Sequence, residues 1–238
     1  MKHFPNFITS LNLVSGFIAI IFAAKGDINT ASWLVLAAMI FDFLDGFSAR
    51  LLKAYSAVGK ELDSLADIVS FGVAPALIIY NLLVNSEVTR LFNFQSDILN
   101  SVLLMLIPAI MPVCGAIRLA KFNLDLSQAT TFKGLPIPAN ALCVISIVIA
   151  RQYSQSELFN SITGSSFFLI LLTILLSLLM VSRLPLLSLK VNSLKLKGNE
   201  GRYILVTMVV IGFLIFGIMS IPFIVPIYLF ASLVSLFL

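Results

Sequence analysis

Charge is scarce in this chain. Only 11% of its 238 residues are Asp, Glu, Lys or Arg, against 60% that are hydrophobic, and that imbalance excludes a water-soluble globular domain. Histidine is nearly missing: His3 is the one histidine, and its place beside the amino terminus reads as a solvated residue. The two cysteines, Cys114 and Cys143, lie in apolar surroundings outside any spaced framework, so they read as small core residues and say nothing about redox compartment. Basic residues sit between apolar spans and not in an aromatic-interleaved patch, so nucleic acid is not implied as a partner. The opening KHFPNFITS has no small-residue cleavage site and the first apolar run is followed by many more, so no removable signal peptide is expected. There is no internal repeat and no low-complexity tail.

What the chain has instead is long apolar runs. They fall at about 8–24, 31–49, 65–84, 98–117, 135–151, 166–182, 203–219 and 222–238, each long enough to cross or nearly cross a bilayer. The expected fold is all-α: a polytopic transmembrane helical bundle of about eight spans, the last pair a short hairpin bent at Ser220-Ile221-Pro222 and again near Pro226. Alternating the connections places twelve basic residues on one side (Lys2, Arg50, Lys53, Lys60, Arg118, Lys121, Lys133, Arg183, Lys190, Lys195, Lys197, Arg202) and three on the other (Lys25, Arg90, Arg151). The richer side is read as cytoplasmic, with both termini there. Residues 1–12 mix apolar and polar side chains in a way that suits a short interfacial helix before the first span. The basic loop within 186–202 suits a solvated connector drawn to anionic headgroups of membrane lipids, and 203–238 forms the final hairpin.

Set against that scarcity of charge, four aspartates crowd into residues 42–67, DFLDGFSARLLKAYSAVGKELDSLAD. Asp42 and Asp45 are three apart, Asp63 and Asp67 four apart, so on helices each pair shares one face. Two such pairs brought together make a carboxylate cage at the cytoplasmic side. Unpaired carboxylates beside hydrocarbon are costly, and an all-oxygen donor set without His or Cys suits hard divalent cations such as Mg²⁺ or Mn²⁺. Gly46, Ala49 and Gly59 stand between the pairs and let a bulky ligand approach the backbone, with Arg50 adjacent. Small surfaces, a fixed cation and a divalent metal suit a pyrophosphate-bearing nucleotide better than a bare ion.

Written with its gaps, the stretch is Asp42-x2-Asp45-Gly46-x2-Ala49-Arg50-x8-Gly59-x3-Asp63-x3-Asp67. It resembles the defining motif of the CDP-alcohol phosphatidyltransferases at every fixed position, a coincidence expected by chance at a frequency of about 10⁻¹⁰ per start position. Pro5-Asn6-x2-Thr9 resembles the usual entry of that family, although the residues alone fit an ordinary helix start equally well. The resemblance covers residues 5 to about 150 most firmly. It implies a family core of six spans within 8–185 and transfer of a phosphatidyl group from CDP-diacylglycerol to an alcohol, with release of CMP. It further implies Asp42, Asp45, Asp63 and Asp67 as ligands of two ions, with Asp67 also the general base. Gly46, Ala49 and Gly59 would wall the cytidine, with Thr9 and Arg50 near the phosphates. The resemblance implies a homodimer as well, and the distribution of basic residues sets it in the inner cell membrane with its active site facing the cytoplasm.

The segments Arg118-Leu-Ala-Lys121-Phe-Asn123 and Phe132-Lys133-Gly134-Leu135-Pro136-Ile-Pro138-Ala-Asn140 resemble the branch of the family that uses L-serine. A serine carboxylate needs a fixed cation, for which Arg118 is the best-placed bidentate candidate, with Lys121, Asn123 and Lys133 behind it. Glycerol 3-phosphate would need cations too, so a phosphatidylglycerophosphate synthase is the alternative within the family. A divalent-cation transporter with intramembrane aspartates is the alternative outside it, but it leaves Gly46, Ala49, Arg50 and Gly59 without a role.

Overall fold

Proline and glycine punctuate the first helix. Pro5 occupies its first turn, where a missing N–H costs nothing, and α1 runs Phe4–Ala24 until Gly26, at φ +85°, turns the chain. The Asp27 side chain then accepts from Thr30 N at 3.0 Å and starts α2, Ile28–Leu51. Those hydrogen bonds from Thr30 hold the exposed Asp27 carboxyl below the usual carboxylate range. Ser56 caps α3, Ala57–Asp67, by accepting from Gly59 N at 2.9 Å. This computed structural model describes residues 3–86, 98–124, 132–187 and 199–235.

Directly after Asp67 the helix widens into a π segment, Ile68–Val73, and returns to α geometry in α4, Ala74–Val84, with Pro75 in its first turn. Ile98–Leu124 forms α5, which contains Pro108 and Pro112. Beyond it lie α6 (Ile137–Tyr153), α7 (Glu157–Gly164) and α8 (Ser166–Val181). Last come α9 (Glu200–Phe216), a 3₁₀ stretch (Gly217–Phe223) and α10 (Ile224–Val234). The sole sheet among the described residues pairs Phe132 with Leu186 and Lys133 with Pro185. It anchors the Gly-Leu-Pro-x-Pro turn: Gly134, at φ +77°, lies so close to the end of α8 that a Cβ would sit 2.6 Å from Met180 O. Glycine is therefore required there.

Within the described residues, which end at 235, all eight expected apolar runs fall mainly on helices. Among the described residues, four stretches are long and apolar enough to cross a membrane: Phe4–Ala24, Ala57–Val84, Leu104–Leu124 and Glu200–Val234. A fifth qualifies if α7 and α8, bent by 63°, count as one. Of the remainder, α2 ends in a charged stretch and α6 has 17 residues, a length of about 26 Å at the usual helical rise. Glu200–Val234 is folded back on itself, because a Cβ on Gly201 would lie 2.8 Å from Ser235 Cβ and 3.1 Å from Ala231 O. The expected bend near Pro222 is thus present. Large apolar side chains such as Phe167, Leu178 and Leu214 face outward, as hydrocarbon surroundings demand. The chain is a polytopic helical membrane protein.

One expectation is corrected here. Residues 1–12 do not form a separate interfacial helix: from Phe4 they are the opening turns of α1, unbroken to Ala24. Two of the polar residues that mimic an amphipathic surface helix, Thr9 and Asn12, are buried in the interior, while Ser10 stays exposed. The basic loop, with Lys190, Lys195 and Lys197, lies largely outside the described residues.

Small residues let the core helices meet closely. Ala19 and Ala23 of α1 and Ala31, Val35 and Ala38 of α2 are fully buried, and Ser15 Oγ donates to Leu34 O at 2.8 Å. Hydrocarbon gives helices no hydrophobic reason to associate, so such close van der Waals contact supplies the cohesion. Buried nearly all round, α6 passes through the middle of the bundle and carries Cys143 as the core residue its surroundings suggested.

Candidate active site

Two helices deliver the acidic side chains. Asp42 and Asp45 sit near the carboxyl end of α2, one turn apart, and Asp63 and Asp67 occupy successive turns at the end of α3. The sequence spacing therefore aims each pair along one helix face, and packing of α1 against both helices brings the faces together. Carboxylate oxygens of Asp42, Asp63 and Asp67 all lie within 4.8 Å of one another. Asp45 joins from the adjoining cavity wall, buried and beside Thr9, whose hydroxyl donates to Pro5 O at 3.1 Å.

Two of these oxygens have no hydrogen-bond partner among the described residues. Asp45 Oδ2 and Asp63 Oδ1 are buried without a hydrogen bond, and such atoms cost free energy until something is bound to them. An all-oxygen set with orphaned, mutually repelling carboxylates fits a hard divalent ion.

Next to the carboxylates opens a cavity of about 200 Å³, walled by Thr9, Asp45, Gly46, Ala49, Gly59 and Asp63, with Asn6, Tyr55 and Lys60 at its other edge. The two glycines differ in what they do. A Cβ on Gly59 would lie 2.8 Å from Asn6 Oδ1, so this glycine admits α1, whereas a Cβ on Gly46 meets nothing within 4 Å. Gly46 is not needed for packing; it keeps space in the cavity. Gly46→Val is therefore expected to leave thermal stability within about 1 kcal/mol of wild type, since valine is the better helix former. For the nucleotide that the motif implies, the Michaelis constant should rise at least about tenfold, a steric loss near 1.4 kcal/mol. An unchanged constant would remove the cavity from the substrate's path.

The other expected residues divide. Arg50 does not line the cavity; it is exposed and its Nε donates to Gly46 O at 3.0 Å. Lys60 occupies the wall in its place, with Nζ donating to Asn123 O at 3.1 Å. Arg118 is buried on α5, within electrostatic reach of Asp67, its guanidinium over the Phe122 ring at 5.6 Å and its Nε without a partner. Asn123 is a brace: its Nδ2 donates to Ser64 Oγ at 2.9 Å, tying α5 to the helix that carries Asp63 and Asp67. Lys121 is exposed, and the Lys133 side chain lies outside the described residues.

Sequence reasoning passed over Asn12. It is fully buried, its Nδ2 stands 3.5 Å from Asp67 Oδ1, and its backbone carbonyl accepts from Ser70 Oγ at 3.0 Å. The signal for it was the stripe Pro5, Thr9, Asn12, Gly16 at helical spacing, which reads as one inward face of α1 once the aspartates are known to be its neighbours.

This arrangement of motif and fold has known counterparts. The family model described as CDP-alcohol phosphatidyltransferase matches residues 2–186. The chain belongs to the CDP-alcohol phosphatidyltransferase family. The family is divalent-metal dependent, in agreement with the donor set above. Among similar proteins is the CDP-diacylglycerol–serine O-phosphatidyltransferase of Helicobacter pylori J99, 38% identical over 209 residues, or 85% of this chain and 78% of that protein. The protein of the same name from Bacillus subtilis 168 is 34% identical over 177 residues, 71% of this chain and 88% of that protein. The archaetidylserine synthase of Methanothermobacter thermautotrophicus is 34% identical over 153 residues, and this match spans 60% of its length.

Proposed function

We propose that this CDP-alcohol phosphatidyltransferase moves the phosphatidyl group of CDP-diacylglycerol to the hydroxyl of L-serine, giving phosphatidylserine and CMP. The observation that carries the reading is the meeting of Asp42, Asp63 and Asp67 within 4.8 Å beside a cavity kept open by Gly46. Serine as acceptor is supported by relatives named as CDP-diacylglycerol–serine O-phosphatidyltransferases that match most of the chain, and glycerol 3-phosphate is the less favoured acceptor.

Asp42, Asp45, Asp63 and Asp67 would hold two divalent ions, Mg²⁺ or Mn²⁺, and these would supply positive charge to stabilise the phosphate groups during transfer. The cavity holds the cytidine end against Gly46, Ala49 and Gly59, with Thr9 and Lys60 in the same wall. Asp67 takes the proton of the serine hydroxyl, a poor nucleophile until then. The serine oxygen forms a bond to the phosphatidyl phosphorus, the bond from that phosphorus to the bridging oxygen breaks, and CMP leaves with that oxygen. Arg118, beside Asp67, pairs with the serine carboxylate. Reaction at the cytoplasmic face of the inner membrane is supported by the twelve-to-three distribution of basic residues; a homodimer belongs to the same reading through the family likeness.

Radiolabelled serine, incubated with the purified protein, tests this directly. Label should enter lipid only with CDP-diacylglycerol present, should stop on adding a chelator, and should resume with Mg²⁺ or Mn²⁺. Arg118→Ala should raise the Michaelis constant for serine about tenfold or more, the loss of a charge-assisted pair, and that for CDP-diacylglycerol much less. Label entering from glycerol 3-phosphate instead would select the other acceptor, and metal flux without nucleotide dependence would select a transporter.

A further inference from the structure

A larger cavity lies at the opposite end of the bundle. Its volume is about 920 Å³, and it is bounded by the start of α2, the end of α4, the last turn of α6, α7 and the start of α8. Asn29 in its wall and Asp42 in the catalytic cluster share α2, about 20 Å apart at the helical rise. The two sites are separate, and this cavity faces the side with few basic residues.

Arg151 is the cation in that wall. It is half-buried at the end of α6, and among the described residues no carboxylate pairs with it, Glu157 across the cavity included. Among the described residues it makes no hydrogen bond or ion pair. Gly164, the last residue of α7, gives it room, since a Cβ there would stand 3.3 Å from Nη2 and 3.7 Å from Nη1. Nearby, Asn160 Oδ1 is buried without a partner while its Nδ2 donates to Ser154 O at 3.4 Å. Partial burial of an unpaired guanidinium is costly, and the charge bias of membrane proteins works against arginine on this side. Both costs are relieved by an anion. A guanidinium offers five donors in a fork that matches phosphate oxygens, and the unpaired amide oxygen of Asn160 would accept a hydroxyl or ammonium carried by the same ligand.

We propose that this far-side cavity is a second binding site, for a phosphate group held by Arg151, and that it is independent of the catalytic cluster. Two sources share that chemistry, the headgroup of a phospholipid from the outer leaflet and free phosphate. The delipidated full-length protein is titrated with short-chain phosphatidylglycerol and, in parallel, with inorganic phosphate, and binding is read by calorimetry for wild type, Arg151→Gln, Arg151→Lys and Gly164→Val. Differences from wild type isolate this site from any phosphate bound at the aspartates. Arg151→Gln should weaken the phosphate-dependent binding about tenfold, the size of a lost charge-assisted bond, and Arg151→Lys should recover part of it. Gly164→Val, which keeps the charge but takes the guanidinium's space, should behave like Arg151→Gln and carries the test if that variant does not fold. A difference seen with the lipid alone assigns a headgroup; one seen with inorganic phosphate as well assigns phosphate from either source. Variants that retain phosphatidyl transfer and bind both ligands as wild type does would overturn the proposal.

Discussion

Asp67→Asn is expected to lower turnover by about 10²- to 10⁴-fold, the contribution usual for a positioned general base. The side chain keeps its shape, so the contact from Asn12, 3.5 Å away, has a counterpart oxygen in one amide orientation, and the neighbouring Arg118 loses a carboxylate rather than its space. What disappears is the capacity to take a proton. The decisive comparison is with Asp42→Asn, assayed for Mn²⁺ binding and CDP-diacylglycerol binding as well as turnover. Both aspartates belong to the close cluster, so both variants should bind metal less tightly. Raising the metal concentration should restore Asp42→Asn in part and Asp67→Asn hardly at all. Turnover near the wild-type rate in Asp67→Asn would remove it from the proton's path, and full recovery with excess metal would reduce it to a ligand.

Gly16→Val is expected to cost about 3 kcal/mol or more in stability, the upper range for overpacking a core. Even the first added carbon would lie 2.1 Å from Ser70 Oγ, 2.8 Å from Ser70 Cβ and 2.7 Å from Ser70 Cα, and the last of these is backbone that cannot rotate aside. Activity should fall with stability, because Ser70 bonds the carbonyl of Asn12 and Asn12 meets Asp67. Ser70→Gly in the same chain removes two of the three close atoms and should recover only part of the loss, as the Cα clash stays. Thermal unfolding in detergent of the two variants measures both effects. An undisturbed melting temperature in Gly16→Val would mean that α1 does not approach the π segment this closely.

Much of the site could be read from spacing alone. Three-and-four separations of Asp42, Asp45, Asp63 and Asp67 put each pair on one face wherever the segment is helical, and gaps at Gly46, Ala49 and Gly59 marked the cavity beside them. Apolar runs gave the helices, because hydrocarbon permits little else. What spacing did not reveal depends on tertiary partners. The stripe Thr9 and Asn12 looks like a water-facing surface until α2 and α3 are laid against it, and then the same polarity belongs to the interior. Arg50 follows Ala49 of the motif and Lys60 follows Gly59, but only Lys60 reaches the cavity wall, since Arg50 is turned back onto the carbonyl of Gly46. The π segment has no composition of its own that distinguishes it from the α-helix on either side.

That widened turn also constrains the length of the chain. A π turn holds one residue more than the α turn it replaces, and it stands between Asp67 and the apolar surface of α4. One residue fewer would let the helix run on regularly and would swing everything beyond it by about 100° relative to the carboxylates. Either the aspartates or the residues that bury Ile78, Leu82 and Leu83 would then face the wrong way. Register here is as binding as identity, so the connecting loops can absorb insertions and deletions that this stretch cannot.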